Sequence, residues 1–480
     1  MEREHPSEAL IDRQLCWELL SFPDTDAGNA EAFALLHGHR FRFDHSKERW
    51  LVWNERYWEA DVDNEAERAA LDTARWRRWA VRLALASHSR AAFLRFKWAF
   101  DSESVQRVKA TLESAKSIGS LATTTGEYDG DPFLLTVGDG TLELRVGKLC
   151  PARPEDLITR ATDIPYNPDA SCPRWLDFLA EVFAGDMELI SFIWRAVGYT
   201  LTGDTREQCL FILYGTGANG KTTFLQTVRK ILGTHALTTP FSTFMIQRYP
   251  GAPRNDLAAL HGARMAIASE AGQQASFDEP VIKHVTGGDR IACRFLYGEF
   301  FEYEPRFKVW LATNYKPTIQ GTDEAIWRRI RLVPFNQQFK GDKRDLRLGE
   351  KLEGELPGIL AWAVRGCLAW QQEGLGRPRT VVEATREYRA ESDQVGRFLR
   401  ERCITGPDYS TPGRNLYAAY IRWCQEQGEK PETNVAFAGH IARQGLGKKR
   451  TRRGYIYEGL GLLAEGNLGP LSRRGDDDRV

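Results

Sequence analysis

Residues 209–222 read CLFILYGTGANGKT, and this stretch decides the fold. Its first six residues are mostly apolar and predict a buried strand, whereas the residues from Thr223 to Leu232 predict a helix. Between the two lies a complete GxxxxGKT pattern. Glycines in such a loop let successive backbone N–H groups surround a phosphate at a helix N-terminus, where the helix dipole also favours an anion. The stretch therefore predicts a nucleotide-binding strand-loop-helix unit.

The pattern assigns different contacts to the side chains of this loop. Lys221 is expected to reach the β- and γ-phosphates, and the Thr222 hydroxyl is expected to bind Mg²⁺. The residues expected to contact the nucleotide are Gly215, Gly217, Asn219, Gly220, Lys221, Thr222 and Thr223. The loop alone leaves kinases, GTPases, transporters and motor proteins open, so the following strands must decide between them.

Two further predicted strands end in polar residues. The strand RMAIA at 264–268 is followed by Ser269 and Glu270, whose carboxylate is suited to holding Mg²⁺ through water or to polarising an attacking water. The strand FKVWLA at 307–312 leads to Asn314, whose uncharged amide suits a γ-phosphate sensor. Taken alone, Glu270 is also compatible with a surface glutamate and Asn314 with a turn residue.

An adjacent pair of arginines follows in the segment EAIWRRIR at 324–331. An arginine that reaches the γ-phosphate of a neighbouring subunit stabilises transition-state charge. Arg328 and Arg329 are the candidates for this role, and the alternative for each is a solvated basic face.

Together these segments resemble the superfamily three DNA helicases, in particular the phage and plasmid primase-helicases related to the poxvirus primase-helicase. The similarity is carried by GTGANGKTTF, ARMAIASEA, IKHVTGGDRIACRFLYGEFFEYEP, KVWLATNYKP and DEAIWRRIRLVPF, and it extends upstream through PRWLDFLAEVFAGDMELISFIWRAVGYTLTG. Lys221 and Thr222 match the first phosphate motif of the family, and Asn314 matches its sensor motif. Glu270 matches the second motif, where some members have two adjacent carboxylates. Arg329 is the better match for the inter-subunit arginine, with Arg328 next.

The resemblance implies an α/β fold with an AAA+ type P-loop ATPase core that assembles into a hexameric ring around DNA. It implies ATP as the substrate, Mg²⁺ held by Thr222 and Glu270, and movement along single-stranded DNA from 3′ to 5′. It also implies a β-hairpin in the ring channel, with strands Ile291–Leu296 and Phe300–Glu304 around a tip at 297–299. This tip lacks the Lys-His pair of some viral relatives, so the expected DNA contacts are Lys283, Arg290, Arg294 and Tyr297.

The chain is expected to divide into residues 1–170, a mainly helical domain; 171–375, the ATPase with its helical lead-in; 376–465, a winged-helix-like domain; and 466–480, a flexible tail. About 200 residues precede the loop and leave no room for the primase domain of larger relatives, so priming is not expected. A separate primase or polymerase is the expected partner.

The C-terminal segment resembles the winged-helix domain that ends several of these helicases. Helices are predicted at 416–425 and 435–444, and a short strand at 455–457. Six basic residues and no acidic one lie between 443 and 453. Such a cluster suits phosphate contacts, although a basic run is also compatible with a solvated turn. The expected DNA contacts here are Lys448, Lys449, Arg450 and Arg452.

Composition sets wider limits on function. The 480 residues contain 65 Lys and Arg and 65 Asp and Glu, so the net charge is zero and a histone-like binder is excluded. No apolar stretch of membrane-spanning length and no apolar N-terminal signal is found, so no membrane partner is expected and the protein is expected in the cytoplasm of a bacterial or archaeal host cell.

Two other functions remain open from the sequence. In one, the chain is an origin-binding initiator whose ATPase switches assembly without processive unwinding, and the C-terminal domain supplies DNA binding. In the other, it is a signalling NTPase that does not bind DNA, which the hairpin segment and the basic cluster disfavour.

Overall fold

A computed structural model describes residues 13–84, 90–247, 254–269, 275–296, 298–319, 323–341, 344–452 and 454–463. The predicted tail at 466–480 lies outside these ranges, and so do Glu270 and Tyr297.

The N-terminal region combines helices with a small sheet. Its described elements are α1 Arg13–Ser21, α2 Asp26–His37, β1 Phe41–Asp44, β2 Arg49–Trp53, β3 Trp58–Ala60, α3 Glu65–Ala84, α4 Arg90–Asp101, α5 Val105–Ala115 and β4 Ala122–Thr123. The sheet has the order β3-β2-β1-β4. Helices α3 to α5 agree with the helical character expected of residues 1–170. The sheet was missed because its strands are too short for alternation of apolar and polar residues to be recognised.

The central region holds the longest run of alternating strands and helices. Its first described elements are β5 Leu134–Val137, β6 Gly140–Glu143, β7 Lys148–Cys150, α6 Pro173–Val182, α7 Met187–Leu201, β8 Leu210–Tyr214, α8 Lys221–Leu232 and β9 Ala236–Thr238. Then follow α9 Asn255–Ala259, β10 Met265–Ser269, α10 Glu279–Gly287, β11 Ile291–Cys293, β12 Phe301–Tyr303, β13 Lys308–Thr313, α11 Glu324–Trp327, β14 Ile330–Pro334, α12 Leu348–Glu353 and α13 Leu356–Glu373.

Five of these strands form one parallel sheet in the order β14-β8-β13-β10-β9. All six residues of β13 are buried, as expected for a parallel sheet covered by helices on both faces. The register places Tyr214 beside Thr313 and Ala312 beside Ser269, so three strands end at the same edge. The α/β architecture expected from the sequence is confirmed.

Helices α6, α7 and α13 cover one face of the sheet and share a large apolar core with it. The β5–β6 hairpin packs into the same core, although it lies within residues 1–170, which the sequence analysis assigned to a separate domain. Aromatic rings connect the layers: Trp310 stacks on Phe211 at 4.2 Å, and Trp175 of α6 stacks on Phe224 of α8 at 5.8 Å. Helix α6 therefore supports the helix that begins at the glycine-rich loop.

The C-terminal region is a compact unit of helices and one sheet. Its described elements are α14 Arg379–Ser392, α15 Gln394–Arg402, β15 Cys403–Pro412, α16 Gly413–Glu426, α17 Asn434–Arg443, β16 Gly447–Thr451 and β17 Gly454–Leu462. The sheet is antiparallel in the order β15-β17-β16. Helices α16 and α17 agree with the expected ones, and the basic segment forms the edge strand β16. None of the described helices is long and apolar enough to cross a lipid bilayer.

The start of α6 depends on a carboxylate from another part of the chain. Glu355 accepts hydrogen bonds from the backbone N–H groups of Arg174 and Trp175, both at 3.0 Å. Glu355 thereby satisfies two N–H donors that have no partner within α6, and its carboxylate faces the positive end of the α6 dipole. We expect Glu355→Ala to lower the free energy of unfolding by about 1–2 kcal/mol, measured by urea denaturation.

The matched control is Glu353→Ala. Glu353 pairs with Lys230 between two half-exposed side chains, so its loss is expected to cost less than about 0.5 kcal/mol. Equal effects of the two substitutions would contradict the capping role of Glu355.

Candidate functional site

The glycine-rich loop joins β8 to α8 at the carboxyl edge of the sheet. Gly217 and Gly220 have φ angles of +96° and +89°, in the left-handed region that favours glycine. Gly220 precedes the first turn of α8, and an added Cβ there would lie 2.9 Å from the Val182 side chain of α6. The expected strand-loop-helix unit is present, and its helix N-terminus is held against α6.

The chain after β14 anchors the loop from the other side. Asn219 donates a hydrogen bond from Nδ2 to the Phe335 carbonyl at 3.1 Å, and Gln338 donates from Nε2 to the Thr216 hydroxyl at 2.9 Å. The sequence analysis missed both anchors, because nothing in the order of residues indicates that 335–339 returns to the loop.

The ammonium group of Lys221 lies at the centre of the site. Lys221 is 6% exposed, and its Nζ donates to the Gly215 carbonyl, to Asn219 Oδ1 at 3.1 Å and to Asn314 Oδ1 at 3.0 Å. All three acceptors are neutral, and no described carboxylate pairs with this group. Burial lowers the pKa of Lys221 because the charged form loses hydration. Among the described residues, the site therefore holds a positive charge that is surrounded by neutral acceptors.

The other residues expected around the nucleotide lie at the same edge. Asn314 follows β13 and contacts Lys221, so the structure brings the expected sensor and the lysine together. Thr222 is exposed and Thr223 half-buried in the first turn of α8. Ser269 ends β10 beside Ala312, and the expected carboxylate of Glu270 comes next in the chain, outside the described residues. The role of Glu270 stays a prediction.

The two candidate arginines have opposite environments. Arg329 is 7% exposed; its Nε donates to the Thr286 hydroxyl at 3.0 Å and its Nη1 to the Ala325 carbonyl at 2.6 Å. Burial lowers the pKa of Arg329, and the neighbouring Arg328 charge adds to this effect. Arg328 is exposed, and no described side chain forms a hydrogen bond with its guanidinium. The geometry thus favours Arg328 over Arg329, the better match by resemblance, for contact with another molecule.

A second contact joins the helix of Thr286 to that of the arginines. Lys283 of α10 forms an ion pair with Asp323 at 2.9 Å, and Asp323 caps α11 through a hydrogen bond from Ala325 N at 3.0 Å. The hydrogen bonds from Ala325 and Lys283 lower the pKa of Asp323. Lys283, expected to contact DNA, is therefore engaged within the protein.

A hairpin follows α10, as expected, although its strands are shorter than the sequence indicated. Strands β11 and β12 pair over three residues each, and the expected strands extended further towards the tip. Arg290 is exposed, whereas the Arg294 guanidinium lies 4.7 Å from the centre of the Phe300 ring. Phe295 and Phe300 are 49% and 69% exposed near the tip. The sequence analysis expected basic residues and Tyr297 to contact DNA, and it overlooked these two phenylalanine rings.

The expected basic DNA contacts of the C-terminal region lie on an open edge. Lys448, Lys449 and Arg450 are exposed along β16, which pairs with β17 on its other side, and Arg452 is exposed in the turn that follows. Lys448 Nζ lies 4.1 Å from the centre of the Tyr455 ring. The cluster is thus a projecting basic hairpin.

Comparison with known proteins adds two family matches. A family described as D5 N terminal like matches residues 30–184, and a family of unknown function, DUF5906, matches residues 213–329. The second match includes the loop, Asn314 and the arginine pair.

Similar curated proteins come from viruses. A putative helicase of Acanthamoeba polyphaga mimivirus is 26% identical over 56% of this chain and 30% of its own length. A putative helicase of Frog virus 3 is 30% identical over 52% of this chain and 28% of its own length. The chain therefore spans about a third of the length of these relatives. Among solved structures, the apo structure of the NrS-1 C-terminal region is 9% identical with a TM-score of 0.47, and it covers 90% of this chain and 99% of its own.

The two left-handed glycines of the loop allow a matched test of its packing. In both Gly217→Ala and Gly220→Ala the new side chain meets the same unfavourable φ. At Gly217 no atom lies within 4 Å of the added Cβ, whereas at Gly220 the Val182 and Phe178 side chains lie at 2.9 and 3.2 Å. We expect Gly220→Ala to lower the free energy of unfolding by about 1–3 kcal/mol more than Gly217→Ala, measured by urea denaturation without nucleotide. Equal losses would show that α6 does not brace the loop.

Proposed function

We propose that the chain is an ATP-dependent DNA helicase of the superfamily three type, working as a ring, expected to be a hexamer, on single-stranded and forked DNA. The observation that carries this proposal is the buried Lys221 ammonium, held by three neutral oxygens at the N-terminus of α8. A triphosphate supplies the anion that this arrangement lacks. The putative helicases among the relatives supply the expected substrate, DNA.

The architecture supports an AAA+ type core and a winged-helix domain. Strand β13 lies between β8 and β10, so the sensor Asn314 is placed between the phosphate loop and the end of the strand before Glu270. In the C-terminal region the order helix, strand, two helices and a two-stranded hairpin, with β16 at the sheet edge, supports a winged helix whose wing carries the basic cluster.

Each residue of the site has a role in ATP hydrolysis under this proposal. Lys221 binds the β- and γ-phosphates, and Asn314 positions the attacking water. The exposed Thr222 hydroxyl is an oxygen ligand of the kind that Mg²⁺ prefers, and the ion, when bound there, would neutralise phosphate charge. Glu270 polarises the water.

Arg328 completes the site of a neighbouring subunit. The guanidinium of Arg328 is exposed and forms no hydrogen bond with a described side chain, so it can reach a phosphate across an interface, whereas Arg329 is held by Thr286 and Ala325. Arg329 is therefore a positioning residue: it fixes the end of α11 from which Arg328 projects. Because Thr286 lies on α10, which leads into the β11–β12 hairpin, the same bond links the arginine to the DNA contact.

The hairpin is proposed to contact one DNA strand by stacking. Exposed phenylalanine rings near its tip offer faces for bases without sequence preference, and Arg290 offers a phosphate contact. By resemblance, movement runs from 3′ to 5′.

The second candidate function is an origin-binding initiator, favoured by the exposed basic strand β16. The two functions differ in their response to DNA. A helicase hydrolyses ATP faster with single-stranded DNA and separates a forked duplex, whereas an initiator binds duplex tightly without separating it. Separation of a forked duplex with a 3′ tail is the expected result, and tight duplex binding without separation would favour the initiator.

Mixed rings test whether Arg328 acts between subunits. Arg328→Ala and Lys221→Ala are each expected to reduce ATP hydrolysis by about 10³-fold or more. In an equimolar mixture, an intact Lys221 meets a neighbour's intact Arg328 at about a quarter of the interfaces, so about a quarter of wild-type hydrolysis should return. Arg347→Ala, which removes an exposed arginine paired with Glu350, is the control that should retain activity. No recovery in the mixture would contradict action across subunits.

Thr286→Val tests the link between α10 and the arginine helix. The substitution leaves Arg329 Nε without its acceptor and should cost about 1–3 kcal/mol of stability. We expect ATP hydrolysis to fall about tenfold at an unchanged KM for ATP, with a smaller stimulation by DNA, whereas Thr286→Ser should restore both. Lower stability with unchanged kcat and unchanged DNA stimulation would assign Thr286 a structural role alone.

A further inference from the structure

A basic cleft lies between the ATPase region and the C-terminal region. Its volume is about 390 Å³, at the lower end of the range for small-ligand sites. Arg386 and Arg389 of α14 line one side, and Arg443 at the end of α17 lines the other. Asp393 is the acidic residue among the lining side chains, and one of its oxygens accepts the Gly396 N–H at 2.8 Å. Positive side chains are therefore in excess in a protein whose net charge is zero.

His440 is a second, independent indication of a ligand. It lines the cleft and is 8% exposed, and its Nδ1 has no hydrogen-bond partner among the residues that the structure describes. Its Nε2 lies 3.6 Å from Glu432, which fixes the ring. A buried polar atom without a partner is costly, so an additional partner in the cleft is expected.

The arginines keep binding capacity despite their local contacts. Arg389 pairs through Nη1 with the exposed Glu324 at 2.7 Å, and Arg443 donates through Nε to the Gly439 carbonyl at 3.3 Å. Arg386 is exposed. A guanidinium has five donors in a planar fork that matches phosphate oxygens, so each group retains donors for an anion.

We propose that this cleft binds backbone phosphates of a nucleic-acid strand that continues from the basic strand β16. Arg443 ends α17, and the exposed Lys448, Lys449 and Arg450 follow it within a few residues. A series of positive groups along the chain suits a polyanion better than a single phosphate. Trp327, directly before Arg328, also lines the cleft, so a strand bound there contacts the helix of the proposed inter-subunit arginine.

Binding of a fluorescein-labelled 20-nucleotide oligothymidylate to the full chain, followed by anisotropy over a range of salt concentrations, tests this inference. Without nucleotide, the measurement does not depend on ATP hydrolysis. Arg386→Ala and Arg443→Ala should each weaken binding by roughly three- to tenfold and reduce the slope of log K against log salt by about one. Arg386→Lys and Arg443→Lys should keep the slope.

The matched control is Arg379→Ala, an exposed arginine of α14 outside the cleft that pairs with Glu383. It should leave affinity and slope unchanged. Unchanged binding of the oligothymidylate by both cleft variants would overturn the inference. If Lys449→Ala weakened binding in that case, the proposed DNA-binding function would stand without the cleft. If the two cleft variants bound ADP more weakly than the wild type in calorimetry but bound the oligothymidylate equally well, the cleft would be a site for a free nucleotide. That result would also overturn the proposal that a nucleic-acid strand binds there.

Discussion

The burial of the Lys221 ammonium among neutral oxygens is the constraint on which the rest of the structure depends. A buried charge loses hydration. The described residues around the ammonium supply oxygen dipoles from Gly215, Asn219 and Asn314 but no opposite charge. This arrangement requires the loop, the end of β13 and the chain after β14 to be fixed in position. The parallel sheet aligns the strand ends, and α6 braces the loop at Gly220. The fold thus holds the proposed nucleotide site in place through contacts within the chain.

Contacts from one element to the next connect this site to the surfaces proposed to meet DNA. Asn314 ends β13, and the short helix α11 with its two arginines lies between β13 and β14. Arg329 binds Thr286, and Lys283 binds Asp323, so α10 and α11 are joined at two points. Because α10 leads into the β11–β12 hairpin, a displacement of α11 can be passed through α10 to this hairpin. Trp327 of α11 lines the C-terminal cleft.

Local pattern was sufficient to predict the parts of the fold whose sequence signal is strong. The strand-loop-helix unit, the strand before Asn314 and the helices α16 and α17 could be read from periodicity and turn residues, whereas the β11–β12 hairpin was expected from the family resemblance alone. The roles of the two arginines and of Lys283, and the presence of the cleft, depend on contacts between segments that are distant in sequence. Arg328 and Arg329 are identical and adjacent, and the acceptor that buries Arg329 is Thr286, more than forty residues away. Lys283 was assigned to DNA because its partner Asp323 lies forty residues away in the sequence. The cleft joins α14 and α17, which no local pattern relates.

The most direct test of the central claim is the affinity of the purified chain for Mg-ATP, measured by calorimetry for the wild type and for Lys221→Ala. Lys230→Ala is the control, since Lys230 lies near the end of the same helix and pairs with Glu353 on the surface. The account predicts saturable binding by the wild type and by Lys230→Ala, and a loss of at least tenfold for Lys221→Ala, about 1.4 kcal/mol. Equal affinity for all three proteins would contradict it.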